Sequence, residues 1–328
     1  MASLTVPILV ENPQLRALNI LRDLPAVADL VETCFADTMD AEGRRYVQQM
    51  RSAGRDNQFL RWASSAVDTV SMPLSGYVWE EKGEVIGNVS LIPYRHDHRK
   101  YYLIANVAVR PDQRRRGIGR ALTLAAMQHA RSHRADEIWL HVRSDNPGAI
   151  TLYEGLGFRE KLRRTAWHAQ TGQALPAVDG KIAVSPRYDR DWPLQSHWLD
   201  GLYPELMNWY QTLPRNLLRP GLAPALYRFF VDLDTRHWSA YAGGELAGAL
   251  TWQPVSGAAD RLWVAAPPMG GEAAVTTLLV TALRSLSWRQ ALSLDFPAQV
   301  YPAAVEAAGF RAYRTLLWMQ ADEPFPAV

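Results

Sequence analysis

Residues 107–122 read VAVRPDQRRRGIGRAL: an apolar run, a proline, three consecutive arginines and a spaced pair of glycines. The apolar run is strand-like, and Pro111 cannot donate to a continuing ladder. Beyond Gly117, the residues Ile118, Ala121, Leu122, Ala125 and Ala126 share one helical face, and the helix extends to about His133. The segment is therefore a strand, a turn and a helix start. Amides in a helix's first turn lack intrahelical partners, and the helix dipole is positive there. Glycines at 117 and 119 let an anion approach the backbone without meeting a Cβ. Together these features make a cradle for a pyrophosphate. Arg114, Arg115 and Arg116 can add charge-assisted contacts to outlying phosphates. A P-loop would need Gly-Lys-Ser/Thr, which is absent. A dinucleotide fold would carry its glycines after an early strand, whereas these follow the fourth. Read without its surroundings, RRRGIG is also compatible with a solvated helix start.

The 328 residues exceed what one hydrophobic core usually accommodates, so two domains are expected. Lys plus Arg is 35 against Asp plus Glu 33, a formal charge of +2, which argues against a generally basic nucleic-acid binder. Neither a membrane-length apolar stretch nor a basic-then-apolar leader is visible, so no membrane partner is expected and cytoplasm is the expected compartment. Cys34 is the single cysteine, which excludes an internal disulfide and a multi-cysteine zinc site; it reads as a buried helix residue. His96 and His98 alternate in a charged hairpin tip, and His129 and His133 lie one helical turn apart. Neither pair has a third ligand, so no metal site is expected. Trp192, Trp198, Trp209, Trp238 and Trp252 read mainly as core or docking residues.

Working along the chain, ALNILRD (17–23) reads as a first strand and 24–38 as a helix, with a second helical stretch at 42–54. Residues 76–92 alternate on both sides of Gly83 and predict a hairpin. Strands are expected at 101–109, 137–142 and 165–170, with a short helix at 146–156. Periodicity weakens over 171–186, where the domain boundary is expected. After it the order recurs. GEVIGNV (83–89) is echoed by GELAGAL (244–250), VAVRPD (107–112) by VAAPPM (264–269), and YEGLGF ending at Phe158 by VEAAGF ending at Phe310. Three echoes in register imply two copies of one fold.

The opening segment, followed by a helix, a strand and NPGAITLYEGLGF (146–158), resembles the GCN5-related N-acetyltransferase (GNAT) family. Arg114, Gly117 and Gly119 fill its Arg/Gln-x-x-Gly-x-Gly/Ala acetyl-CoA signature; Asn146, Tyr153 and Gly157-Phe158 fit its second motif. The resemblance covers residues 14–170 and, in outline, the later half. It implies an α+β (mixed α/β) fold in two tandem domains, 14–170 and 180–322, each a mixed, mostly antiparallel sheet flanked by helices. It further implies an acetyl-CoA-dependent N-acyltransferase whose acceptor is a small-molecule or peptide amine. The amides of Arg115, Arg116, Gly117, Ile118, Gly119 and Arg120 would hold the pyrophosphate, with Arg114 and Asn146 also in the cofactor site. Backbone groups of Val107 and Val109 would pair with the pantetheine arm where the fourth and fifth strands splay, and one amide would meet the thioester carbonyl. Tyr153 would protonate the leaving thiolate.

Many family members carry a carboxylate near the position of Asn106, and an amide cannot take a proton at neutral pH. Either a remote group then works through water or the amine arrives neutral; Glu80 is a candidate substitute that also reads as a hairpin surface residue. Two other classes stay open. The missing base suggests a catalytically silent CoA-binding sensor. A nucleic-acid binder would use Arg110, Arg114, Arg115, Arg116, Arg120, Arg131 and Arg134 against the even charge balance. In the second half, aligning Phe310 with Phe158 puts Val305 at Tyr153 and Ala298 at Asn146. Gly270 and Gly271 remain there without the arginine signature, beside Glu272, so a degenerate copy without cofactor is expected. The acceptor and the oligomeric state are not legible.

Overall fold

A polar residue opens the first helix. Asn19 caps α1 (Ile20–Phe35), its side chain accepting from the Leu21 amide at 3.0 Å, and β1 (Leu15–Ala17) lies just before it. The strand expected at 17–23 is therefore mostly helix: the asparagine cap outweighs the β-branched Ile20. The computed structural model describes residues 12–39, 41–53, 75–178, 180–221, 234–255 and 257–322. The chain divides into two compact units, Met1–Lys161 with Trp318–Val328, and Leu162–Leu317.

In the first unit, α2 (Ala41–Ala53) follows α1, and then β2 (Ser75–Glu81) and β3 (Glu84–His96) form the expected hairpin. Its turn is Lys82-Gly83, both with positive φ (52° and 81°), as a tight two-residue hairpin turn requires. β4 (Arg99–Val109) returns through Asp97-His98, also at positive φ. His96 and His98 thus sit at a hairpin tip. Among the described residues no three His, Cys, Asp or Glu could hold a metal ion. A 3-10 turn (Pro111–Gln113), α3 (Ile118–Ser132), β5 (Glu137–Arg143), α4 (Pro147–Glu154) and β6 (Phe158–Gln170) follow. The strand order is β1-β2-β3-β4-β5, antiparallel up to β4 and parallel between β4 and β5. Leu24, Val27, Ala28 and Val31 of α1 form a buried cluster with Val47, Val78 and Ala108. On α3, Ile118 and Leu122 are buried, and a Cβ at Gly87 would lie 3.0 Å from each of their side chains. That glycine is what lets the helix lie close on β3.

The second unit repeats the plan. Its elements are β7 (Ile182–Pro186), α5 (Trp192–Leu202), β8 (Arg236–Ala242), β9 (Glu245–Gln253), β10 (Asp260–Ala265), α6 (Glu272–Ser285), β11 (Ala291–Pro297), α7 (Pro302–Ala307) and β12 (Arg311–Ala321). The order is β7-β8-β9-β10-β11-β6, antiparallel except for the parallel β10–β11 pair that flanks α6 in sequence. Gly248, the echo of Gly87, stands against α6, a Cβ there meeting the Leu278 side chain at 3.1 Å. Both units are mixed, mostly antiparallel sheets with helices, the fold class expected from the sequence. Trp198, Trp209 and Trp252 are buried, and Trp192 and Trp238 pack against the second unit's core cluster. The border between units falls inside β6 and inside β12. Residues 171–186, where the boundary was expected, contain β7, an edge strand whose exposed positions carry little periodic signal.

Candidate active site

Two local irregularities shape the site. The first is a bulge in β4. Ala105 pairs with Ser90 and Ala108 with Asn88, so Asn106 and Val107 together face Val89. Asn106 has φ +50°, a conformation that asparagine tolerates better than most residues. The second is the end of the β4–β5 ladder. The parallel register runs from Tyr101–Glu137 to Ile104–Leu140, and residues 105–109 continue with no β5 residue in register. Val107 and Val109 lie on this outrunning stretch, both half-buried.

β4 then runs into the arginine turn. The Val109 carbonyl accepts from Arg114 Nε at 3.2 Å and from the Cys34 thiol at 3.3 Å. Cys34 is half-buried on α1, and burial pushes its thiol up despite Arg114 beside it. Arg115 and Gly117 both have positive φ (67° and 81°), and Gly117 occupies the N-cap of α3 without any side-chain cap. No acidic residue lies in the first turn of α3, and a Cβ at Gly117 would meet nothing within 4 Å. This is an uncapped helix N-terminus with open space above it, so the residues present fit a pyrophosphate. Gly119 is less constrained, since a Cβ there would make an ordinary 3.5 Å contact with Leu152.

The arginines divide. Arg116 pairs with Glu81 at 2.8 Å and also binds Gln113, which ties the turn to β2 and holds the Glu81 carboxyl below its usual range. Arg115 and Arg120 are exposed and have no side-chain partner among the described residues. Their guanidinium groups are therefore open to an anion at the surface.

Asn146 caps α4, its Oδ1 accepting from the Ala149 amide at 3.1 Å, with Pro147 at the first helical position. Its structural work is thus plain. Tyr153, two turns on, is 7% exposed and packs edge-on against Phe158 with ring centroids 6.1 Å apart. Its hydroxyl has no hydrogen-bond partner among the described residues, and burial pushes its pKa well above the ordinary tyrosine range. It therefore keeps its proton at neutral pH. Glu80 does not stand as a free base. Arg16 Nε donates to it at 2.6 Å and Arg22 binds it too, and the Arg16 hydrogen bond holds its carboxyl below the usual range.

Sequence reasoning missed Tyr46. It lies on the polar helix α2 with no motif around it, and its Oη accepts from Asn106 Nδ2 at 2.8 Å. Burial pushes its hydroxyl up to about 12.

In the second unit, tyrosine hydroxyls occupy the corresponding stations. The β10–β11 register ends at Leu262–Leu294, and the Val264 amide just beyond it donates to Tyr203 Oη at 3.3 Å. At the start of α6, the Gly271 amide donates to Tyr301 Oη at 3.0 Å, and that hydroxyl donates onward to the Pro267 carbonyl. A Cβ at Gly271 would lie 2.9 Å from the same hydroxyl, and Glu272 sits in the first turn. Helix starts correct the sequence alignment here: Tyr301-Pro302 opens α7 as Asn146-Pro147 opens α4, so Tyr301, not Ala298, matches Asn146. The α7 helix is 6 residues against 8, a shortening invisible when counting back from Phe310.

Residues 36–158 match the family model described as Acetyltransferase (GNAT) family. Over 80 residues, 24% of this chain and 54% of the relative, the chain is 41% identical to [Ribosomal protein bS18]-alanine N-acetyltransferase of Escherichia coli strain K12. Over 52 residues, 16% of this chain and 18% of the relative, it is 50% identical to mycothiol acetyltransferase of Thermobispora bispora. The chain thus spans about half the first relative's length and less of the second's. Among solved structures, a GCN5-related N-acetyltransferase from Sphaerobacter thermophilus superposes with a TM-score of 0.54 at 15% identity, over 99% of this chain and 98% of that one, a likeness of fold.

Proposed function

We propose that this chain, whose residues 36–158 match the acetyltransferase (GNAT) family model, is an acetyl-CoA-dependent N-acetyltransferase working in its first unit on a small-molecule or peptide amine. One observation carries the reading: β4 outruns β5 after Ile104 and delivers the chain to the uncapped, acid-free N-terminus of α3 at Gly117. Bound acetyl-CoA would supply a thioester whose acyl carbon is the electrophile. Backbone groups of Val107 and Val109 hold the pantetheine arm, and one of those amides steadies the charge that develops on the carbonyl oxygen. Amides of residues 115–120 hold the pyrophosphate, with Arg115 and Arg120 on the outlying phosphates. Tyr153 gives its proton to the sulfur as the C–N bond forms and the C–S bond breaks; the amine's surplus proton leaves to water, which restores the tyrosine. The relatives' names, one an alanine of a ribosomal protein and one mycothiol, support an amine acceptor without choosing its kind.

Release of free thiol from acetyl-CoA, followed against a panel of primary amines, tests the proposal. Amine-dependent release is expected. The amide at Asn106 favours one rival, a CoA-binding protein without turnover. Tight CoA binding by calorimetry without thiol release for any amine would establish that rival, and absent binding would end both.

A further inference from the structure

Asn106 sits at the apex of the β4 bulge with its amide hydrogens committed. Its Nδ2 donates to Tyr46 Oη at 2.8 Å and to Ser90 Oγ at 3.3 Å, while its main-chain oxygen accepts from Asn88 Nδ2 at 3.1 Å. Ser90 and Asn88 are 1% and 0% exposed, so this frame is fixed in the sheet. Asn88 Oδ1 is buried and has no partner among the described residues. Asn106 itself is half-buried, and its Oδ1 makes no hydrogen bond among the described residues and is not sealed from solvent. With the nitrogen spent, what remains is an acceptor oxygen beside the stretch of β4 that outruns β5. Such an oxygen can hold an N–H but cannot take the proton.

Resting on the acetyltransferase reading, we infer that Asn106 Oδ1 docks the acceptor amine, that Tyr46 and Ser90 are positioning residues for it, and that the acceptor is an amine largely neutral in solution, such as a peptide α-amine, rather than a lysine side chain. Among the described residues that face it, none is placed to take the amine's proton near neutrality. From α2 comes Tyr46, which burial pushes up to about 12. From β3 come Asn88 and Ser90, and from α1 comes Cys34, whose thiol is pushed up beside Val109. The β2 carboxylates are committed, Glu80 to Arg16 and Arg22, and Glu81 to Arg116. The supply of nucleophile is therefore set by the acceptor's own pKa. At about pH 7.5 an α-amine of pKa about 7.8 is about one-third neutral, whereas a lysine amine near 10.4 is neutral about once in a thousand. That difference alone makes the neutral α-amine about 260 times more abundant at equal concentration, with no contact to the rest of the acceptor.

The test uses the full chain, acetyl-CoA and primary amines of graded basicity. The panel includes an alanine-ended peptide without lysine and an N-acetylated peptide with one lysine. The expected kcat/KM for each amine rises with pH and levels at that amine's own pKa, and near neutrality the lysine peptide is about a hundredfold slower or worse. Asn106→Asp keeps a residue that tolerates positive φ and adds a base; it should shrink the α-to-ε preference at least about tenfold. Tyr46→Phe should raise the acceptor KM severalfold while leaving CoA affinity, read by calorimetry, unchanged. Equal rates for the two peptides, a plateau at one pH for every amine, or an unaltered acceptor KM in Tyr46→Phe would overturn the inference while leaving the transferase reading intact. Thiol release with no amine at all would bring down the transferase reading and this inference with it.

Discussion

At the scale of single residues, Tyr153 and Asp23 show how burial is used in two ways. The Tyr153 hydroxyl is desolvated and has no partner among the described residues, and burial keeps it protonated. Tyr153→Phe preserves the edge-on packing against Phe158, so CoA should bind as before while turnover falls by about a hundredfold or more with little change in the acetyl-CoA KM. Equal loss of binding and turnover would assign the residue to structure instead. Asp23 is 2% exposed and accepts from both Arg16 nitrogens at 2.6 and 2.9 Å and from the Asn19 amide at 2.8 Å. Burial alone would raise its pKa, but these hydrogen bonds win and lower it. Its stabilising contribution is therefore present above the ordinary aspartate pKa and lost as pH falls through the lower folded value. Asp23→Asn should lower stability to urea by about 2–4 kcal/mol near neutrality, and the gap to the parent protein should close only in strong acid. A gap that persists unchanged at low pH would refute the charge-based account. Residues tied to a local pattern, such as Gly117 and Asn146, were legible in the sequence because helix starts are written within a few positions. Tyr46 was not, because its partner Asn106 lies 60 residues away and nothing near it marks the contact.

At the scale of elements, the strand, turn and helix of residues 107–122 came through as read, and so did the hairpins, whose turns are spelled by positive-φ residues. Elsewhere, local signals competed. Asn19 capped a helix where a strand pattern continued, and β7 lies at a sheet edge, where half-exposed residues blur alternation. The turn before α3 yields a prediction that separates backbone from ligand. Gly117 has φ +81° but open space around a would-be Cβ. Any non-glycine residue there loses about 1–2 kcal/mol to the left-handed backbone, and β-branched valine more than alanine, so stability is measured for both. Only the bulkier side chain also invades the proposed pyrophosphate space. Gly117→Val should therefore weaken CoA more than tenfold, and distinctly more than Gly117→Ala, while both remain folded. Calorimetry showing the same CoA affinity in a folded Gly117→Val protein would remove the cradle from this turn.

At the scale of the whole molecule, the repeat is written in the close-packing glycines: Gly87 and Gly248 each bring a helix onto the third strand of their unit. What the sequence reads only as loss, we propose is replacement. Where unit one runs β4 past β5, unit two gives the Val264 amide to Tyr203; where unit one leaves the start of α3 uncapped, unit two gives the Gly271 amide to Tyr301. Those hydroxyls come from 61 and 30 residues away, so no motif could announce them. Both tyrosines are at most 8% exposed, and Tyr301 keeps a left-handed φ of 51° in place. To admit a pyrophosphate, unit two would have to expel a buried phenol, leave a buried amide and a half-buried carbonyl to be re-satisfied, and accept the charge of Glu272 beside the anion. Each unmet buried group costs about 1–3 kcal/mol, with no arginine signature to offset it. The expected stoichiometry is therefore one CoA per chain. Gly117→Val should abolish that single site at moderate CoA concentration, while Tyr301→Phe should leave the stoichiometry at one and lower stability by about 1–3 kcal/mol through the orphaned Gly271 amide. Native mass spectrometry checks both. Two CoA molecules on the parent chain, or one retained at full affinity by Gly117→Val, would mean that the tyrosines do not close the second copy.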